Sequence, residues 1–85
     1  MRHVTEQDLD RIDGLLVELR GFDVLRERKR GNFMYRSRAF LHFHADGDDL
    51  YADVRLDGGD FTRCRVTTPD EQASLVAAIA AAVGG

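Results

Sequence analysis

Two stretches of the chain repeat apolar residues at helical spacing, and the stretch between them alternates apolar and polar. Leu9, Ile12, Leu15, Leu16 and Leu19 fall within about 120° of one another on a helical wheel. Thr5 ahead of them supplies a capping hydroxyl, Asp8 places negative charge near the positive helix end, and Gly21 is the predicted stop. At the other end, Thr68-Pro69-Asp70-Glu71 combines an N-cap, a proline at the first helical position and a capping-box glutamate. Leu75, Val76, Ile79, Ala82 and Val83 form the apolar stripe of that second helix, and Gly84-Gly85 ends it. Each helix is apolar on one side only, so each needs an apolar surface to cover.

The middle of the chain supplies that surface. Residues 33–36, 39–45, 50–56 and 61–66 alternate as strands do, with Ser37-Arg38, Asp46-Gly47 and Asp57-Gly58-Gly59-Asp60 between them. Residues 24–30 alternate as well and read as a further edge strand, joined through a Gly31-Asn32 turn. Period-two alternation assigns Leu41, Phe43, Leu50, Ala52, Val54, Leu56, Cys64 and Val66 to one face. Phe40, His42, His44, Tyr51, Asp53, Arg55, Phe61, Arg63 and Arg65 fall on the other. The expected fold is α+β, with residues 1–85 forming one α-β-β-β(-β)-α domain. It is a two-layer sandwich, an antiparallel meander of three to five strands with the N- and C-terminal helices packed on one face. The second face stays open.

Size and composition narrow what this fold can do. Eighty-five residues leave few to wall a deep pocket, so a ligand would meet a sheet face, a groove or an interface. The single cysteine, Cys64, excludes an intramolecular disulfide and sits on the core face, where it packs rather than reacts. Neither an apolar signal segment nor a run long enough to span a bilayer is visible, which points to the cytoplasm and away from membranes. Net charge is −3, yet residues 20–38 hold seven basic side chains against two acidic ones.

The open face carries the candidate chemistry. His42 and His44 project from one strand, and Asp53 lies within reach on its hairpin partner. Two imidazoles and a carboxylate suit zinc or iron and leave a coordination position free, as a metal-dependent hydrolase or oxygenase requires. Against this stands the plainer reading of two half-exposed histidines on a polar sheet. Arg55, Arg63 and Arg65, with His42 and His44, would form a basic patch for a phosphate or carboxylate, with Tyr51 a further ligand-binding candidate, unless the arginines pair with Asp53, Asp57 and Asp60. Arg26, Arg28, Arg30, Arg36 and Arg38, interleaved with Phe33 and Tyr35, suit nucleic acid, although a pI near 5.5 weighs against it. Phe40, Tyr51 and Phe61 offer an aromatic surface for a homodimer or a protein partner. Asp46-Gly47-Asp48-Asp49 lacks the spaced oxygen ligands of an EF-hand and reads as a hairpin turn.

The run from Gly31 to His44, Gly-Asn-Phe-Met-Tyr-Arg-Ser-Arg-Ala-Phe-Leu-His-Phe-His, followed by the strand over 50–56, resembles the strand meander of YjbR-type small bacterial domains. These are similar in outline to bacterial frataxin. The resemblance implies a helix, an antiparallel sheet and a closing helix; it implies no established reaction, and a DNA-binding role is sometimes suggested for the family. This chain departs from it after Leu56, where residues 57–66 supply another strand. The acidic ridge of the first helix (Glu6, Asp8, Asp10, Asp13 and Glu18) invites comparison with frataxin iron binding, but no frataxin-type sheet motif accompanies it. Taken together, the residues read as a non-enzymatic binding or interaction module that uses the open sheet face.

Overall fold

The computed structural model describes residues 1–84; Gly85, half of the predicted terminal stop, lies outside the described residues. The chain runs β1 (Arg2–His3), α1 (Glu6–Arg11), α2 (Asp13–Arg20), β2 (Leu25–Lys29), β3 (Asn32–Tyr35), β4 (Arg38–Asp46), β5 (Asp49–Val54), β6 (Thr62–Arg65) and α3 (Pro69–Val83). Strands β2 to β6 form an antiparallel meander in sequence order, and β1 pairs with β4 beyond the end of β3. The predicted α+β architecture is present, with an edge strand at 25–29. The sheet exceeds the expected three to five strands by β1, whose two residues are too few to show a period.

Three local departures from the sequence reading have physical causes. The first helix is two segments meeting at Ile12, whose ψ of 26° is not helical; Asp13 and Gly14 there are poor helix-interior residues. The β3–β4 turn is Arg36-Ser37 rather than Ser37-Arg38, and both residues have positive φ, 53° and 65°. Such a two-residue turn ordinarily takes Asn-Gly, so Arg-Ser hides it. Phe40, expected on the open face, is 3% exposed and belongs to the core. The β3–β4 register shifts between Phe33 and Met34, leaving Phe40 as the extra residue of β4. A bulge of this kind breaks the alternation, and Phe40 and Leu41 are buried in succession.

Phe33 and Tyr35, offered to nucleic acid by the sequence, are also drawn inward: Phe33 is 2% exposed and Tyr35 packs against the core, because the β2–β3 register turns both toward the helices. The rest of the core follows the predicted pattern. Leu9, Ile12, Leu15, Leu16 and Leu19 meet Leu41, Phe43, Leu50, Ala52, Val54 and Val66, with Leu75 and Ile79 closing the other side. Gly31 sits at the β2–β3 turn with φ 84°, and a Cβ there would approach Leu9 to 3.0 Å. Glycine therefore fits on both conformational and packing grounds.

Both helical ends of the layer begin with the same device. Thr5 and Asp8 form a reciprocal capping box, as do Thr68 and Glu71. In each case an arginine three residues before the cap binds the capping carboxylate, Arg2 to Asp8 and Arg65 to Glu71. The spacing Arg-x-x-Thr-x-x-acid is identical at the two sites.

Candidate metal centre on the open sheet face

The strand register lays the polar side chains in cross-strand rows. His42 pairs with Asp53, and Asp53 with Arg63, across β4, β5 and β6. The neighbouring row is His3, His44, Tyr51 and Arg65, across β1, β4, β5 and β6. Directly paired residues of an antiparallel sheet share a face, so the register alone brings His42, His44 and Asp53 together. It also adds a third imidazole, His3, whose ring centroid lies 6.1 Å from that of His44. Sequence reasoning missed His3, because no pattern in a two-residue strand reveals its pairing.

Asp53 is the centre of the group and is 6% exposed. Arg63 grips it from one side in bidentate fashion, Nε to Oδ1 at 2.8 Å and Nη2 to Oδ2 at 2.9 Å. From the other side His44 Nε2 and His42 Nε2 approach Oδ2 at 3.2 and 3.4 Å. These distances lie at or beyond the long end of N–H···O bonding. They match another geometry well, since neighbouring donors of a tetrahedral ion with bonds of about 2.1 Å sit about 3.4 Å apart. One donor atom from each of His42, His44 and Asp53 lies within 4.8 Å of the others.

Electrostatics favour the ligating forms. Burial pushes the His42 imidazole down, outweighing the attraction of Asp53, and His44 and Arg63 add to the depression. A lowered pKa keeps His42 neutral near pH 7, the form that offers a lone pair. The Arg63 guanidinium holds the Asp53 carboxyl below its ordinary value against the opposing effect of burial, so Asp53 is an anion. Phe61 packs edge-on against His42, with centroids 5.0 Å apart, and Arg55 lies over the Phe61 ring at 4.2 Å.

The other candidate residues are distributed differently. Arg63 and Arg65 are neutralised, Arg65 by Asp49 at 2.8 Å and Glu71 at 2.7 Å, so the basic patch with Arg55 is not a cluster of free cations. Tyr51 is half-buried beside them. With Phe40 in the core, Tyr51 and Phe61 are what remains of the predicted aromatic surface. Among the nucleic-acid candidates, Arg30 reaches back to the helices and contacts Glu6, Asp10 and Asp13. Arg26, Arg28, Arg36 and Arg38 stay together at the β2–β3–β4 end of the sheet. Cys64 is partly buried against the core, and burial pushes its thiol up, which leaves it a poor nucleophile. Among the described residues no helix is long and apolar enough to cross a membrane.

Comparison of the chain with family models, with curated proteins and with solved structures returned no match.

Proposed function

We propose that the protein is a non-enzymatic binding module whose working surface is the open sheet face, built around a divalent-metal site of His42, His44 and Asp53. The observation that supports this most is the approach of both Nε2 atoms to one carboxylate oxygen at tetrahedral-edge distances, 3.2 and 3.4 Å. Zinc suits two nitrogens and one carboxylate oxygen, and ferrous iron accepts the same set. Arg63 acts as the outer partner that fixes the carboxylate, as outer contacts do in metal sites. Its positive charge beside the carboxylate opposes a bound cation, so moderate rather than tight affinity is expected. No activated serine, reactive thiol or phosphate-cradling loop accompanies the group in the sequence, which favours binding over catalysis.

The test is an NMR titration of metal-free protein with zinc, following backbone amides and imidazole rings. One equivalent should saturate shifts confined to His42, His44 and their sheet neighbours, and His42→Ala or His44→Ala should abolish them. Weak shifts scattered over the acidic α1–α2 ridge, without saturation, would dismiss the site.

A further inference from the structure

Eleven arginines divide sharply by partner. Arg2, Arg20, Arg30, Arg63 and Arg65 each bind at least one carboxylate. Arg11 donates to a backbone carbonyl at the far end of the sheet, that of Asp48. The remaining five are Arg26, Arg28, Arg36, Arg38 and Arg55, and among the described residues none has a carboxylate within ion-pair distance. Fifteen acidic side chains are present in the chain, so the absence is one of placement.

These five lie along one strip. Arg26, Arg28 and Arg36, with Ser37 and the apolar Val24 and Met34, line a groove of about 360 Å³ on strands β2 and β3. Arg36, Arg38 and Arg55 line the adjoining cavity of about 330 Å³, so Arg36 joins the two. The strip is held open by its own contacts. Arg38 donates to the Gly58 carbonyl, and Arg55 to those of Ala39 and Gly59. Arg36 stacks over Tyr35 at 5.0 Å. Each contact fixes a guanidinium without neutralising it. Glu27 is engaged elsewhere, with Arg20 and the Gly31 amide, and Asp57, which lines the second cavity, accepts from the Gly59 amide and pairs with none of the five arginines. Arg36 and Ser37 also hold left-handed backbone conformations, unfavourable for residues other than glycine and a feature that concentrates at functional sites.

We propose that this strip binds the phosphodiester backbone of a nucleic acid. A line of unpaired guanidiniums, those of Arg36, Arg38 and Arg55 fixed by their own contacts, suits a linear polyanion better than a compact ligand, since successive phosphates can each meet one cation. The groove exposes Met34 and Val24 rather than an aromatic platform, so the contact is to backbone and carries little base preference. Net charge of −3 does not oppose it, because the two cavities are lined by five arginines and a single acid, Asp57. This site is separate from His42, His44 and Asp53 and does not require metal.

The experiment is fluorescence anisotropy of a labelled oligonucleotide with the whole chain, in chelator, across a range of salt. Binding is expected to weaken steeply and linearly in log salt, with a smaller slope for Arg26→Ala/Arg28→Ala. That double variant should lose at least tenfold in affinity, while Arg11→Ala, an arginine off the strip, should stay within twofold. Inorganic tripolyphosphate should compete only at far higher concentration than unlabelled oligonucleotide. Absence of binding at low salt, or equal losses in the double variant and Arg11→Ala, would overturn the proposal. Equal competition by tripolyphosphate would overturn the polymer and leave a phosphate pocket.

Discussion

Asp8 and Asp53 are equally buried, each 6% exposed, and each is gripped by an arginine. Their surroundings differ in one respect. The Asp8 carboxylate accepts from Arg2 and from the Thr5 amide at 2.9 Å, closing the capping box of α1. Its contacts are local, and they complete the start of a helix. Asp53 sits in mid-strand, where no helix end needs it, and turns Oδ2 toward two imidazoles from the next strand. A buried carboxylate with an arginine is thus not by itself a sign of function; the groups facing its other lone pairs decide.

Zinc affinity separates the two carboxylates most widely. Asp53→Asn should lower it by a factor of a hundred or more, about 2.7 kcal/mol by the tenfold rule. Asp8→Asn should leave it within twofold. Isothermal titration calorimetry on both variants measures this directly, and equal losses would mean that Asp53 is as structural as Asp8.

Stability should rank them in the opposite order. Asp8→Ala removes a capping box and leaves the Thr5 amide without its acceptor, a combination that costs about 2 kcal/mol. Asp53→Asn keeps an oxygen for Arg63, whose side chain is 48% exposed, and should cost about 1 kcal/mol or less. Urea unfolding at neutral pH distinguishes these values. A larger loss for Asp53→Asn would recast the His–Asp–Arg row as the keystone of the sheet.

Acid unfolding sharpens the same contrast. The Arg2 guanidinium and the Thr5 amide hold the Asp8 carboxyl well below the usual carboxylate range, and Arg63 lowers Asp53. With the folded pKa depressed, the unfolded chain binds more protons below its own pKa near 3.9. The stabilisation is therefore complete above about pH 5 and lost as pH falls through the folded values. Asp8→Asn should flatten the decline of stability below about pH 4 more than Asp53→Asn does, as read from urea midpoints at successive pH values. An unchanged slope in Asp8→Asn would show that other carboxylates, such as Glu27 with Arg20, dominate acid lability.

How far the sequence discloses this arrangement depends on the range over which each feature is set. Both capping boxes are legible, because Thr5 with Asp8 and Thr68 with Glu71 lie within one turn. The grouping of His42, His44 and Asp53 is legible too, since the tight turn at Gly47-Asp48 fixes the β4–β5 register and period two does the rest. Phe40 is not, because the bulge that turns it inward arises between β3 and β4 and leaves no mark in the alternation of β4 alone. His3 is hidden for a related reason: its partner lies 41 positions away, His44. Arg30 reads as part of a basic run, yet its position beside the helices follows from the packing of the β2–β3 turn against α1.

The smallest expected effect concerns Arg65, which repeats the Arg2 device in front of α3. Its side chain is 41% exposed, and its partners Asp49 and Glu71 are 41% and 29% exposed. Water and salt screen such pairs, so Arg65→Ala should lower the unfolding midpoint only slightly, and 0.5 M salt should erase roughly half of that loss. Arg2→Ala should cost more, although Arg2 is itself 49% exposed, because the Asp8 side chain it serves is only 9% exposed and loses a partner that water replaces poorly. Thermal unfolding of the two variants side by side, at low and high salt, tests whether burial of the carboxylate amplifies an otherwise identical motif. Equal losses would assign the energy to the capping hydrogen bonds alone and make both arginines accessory.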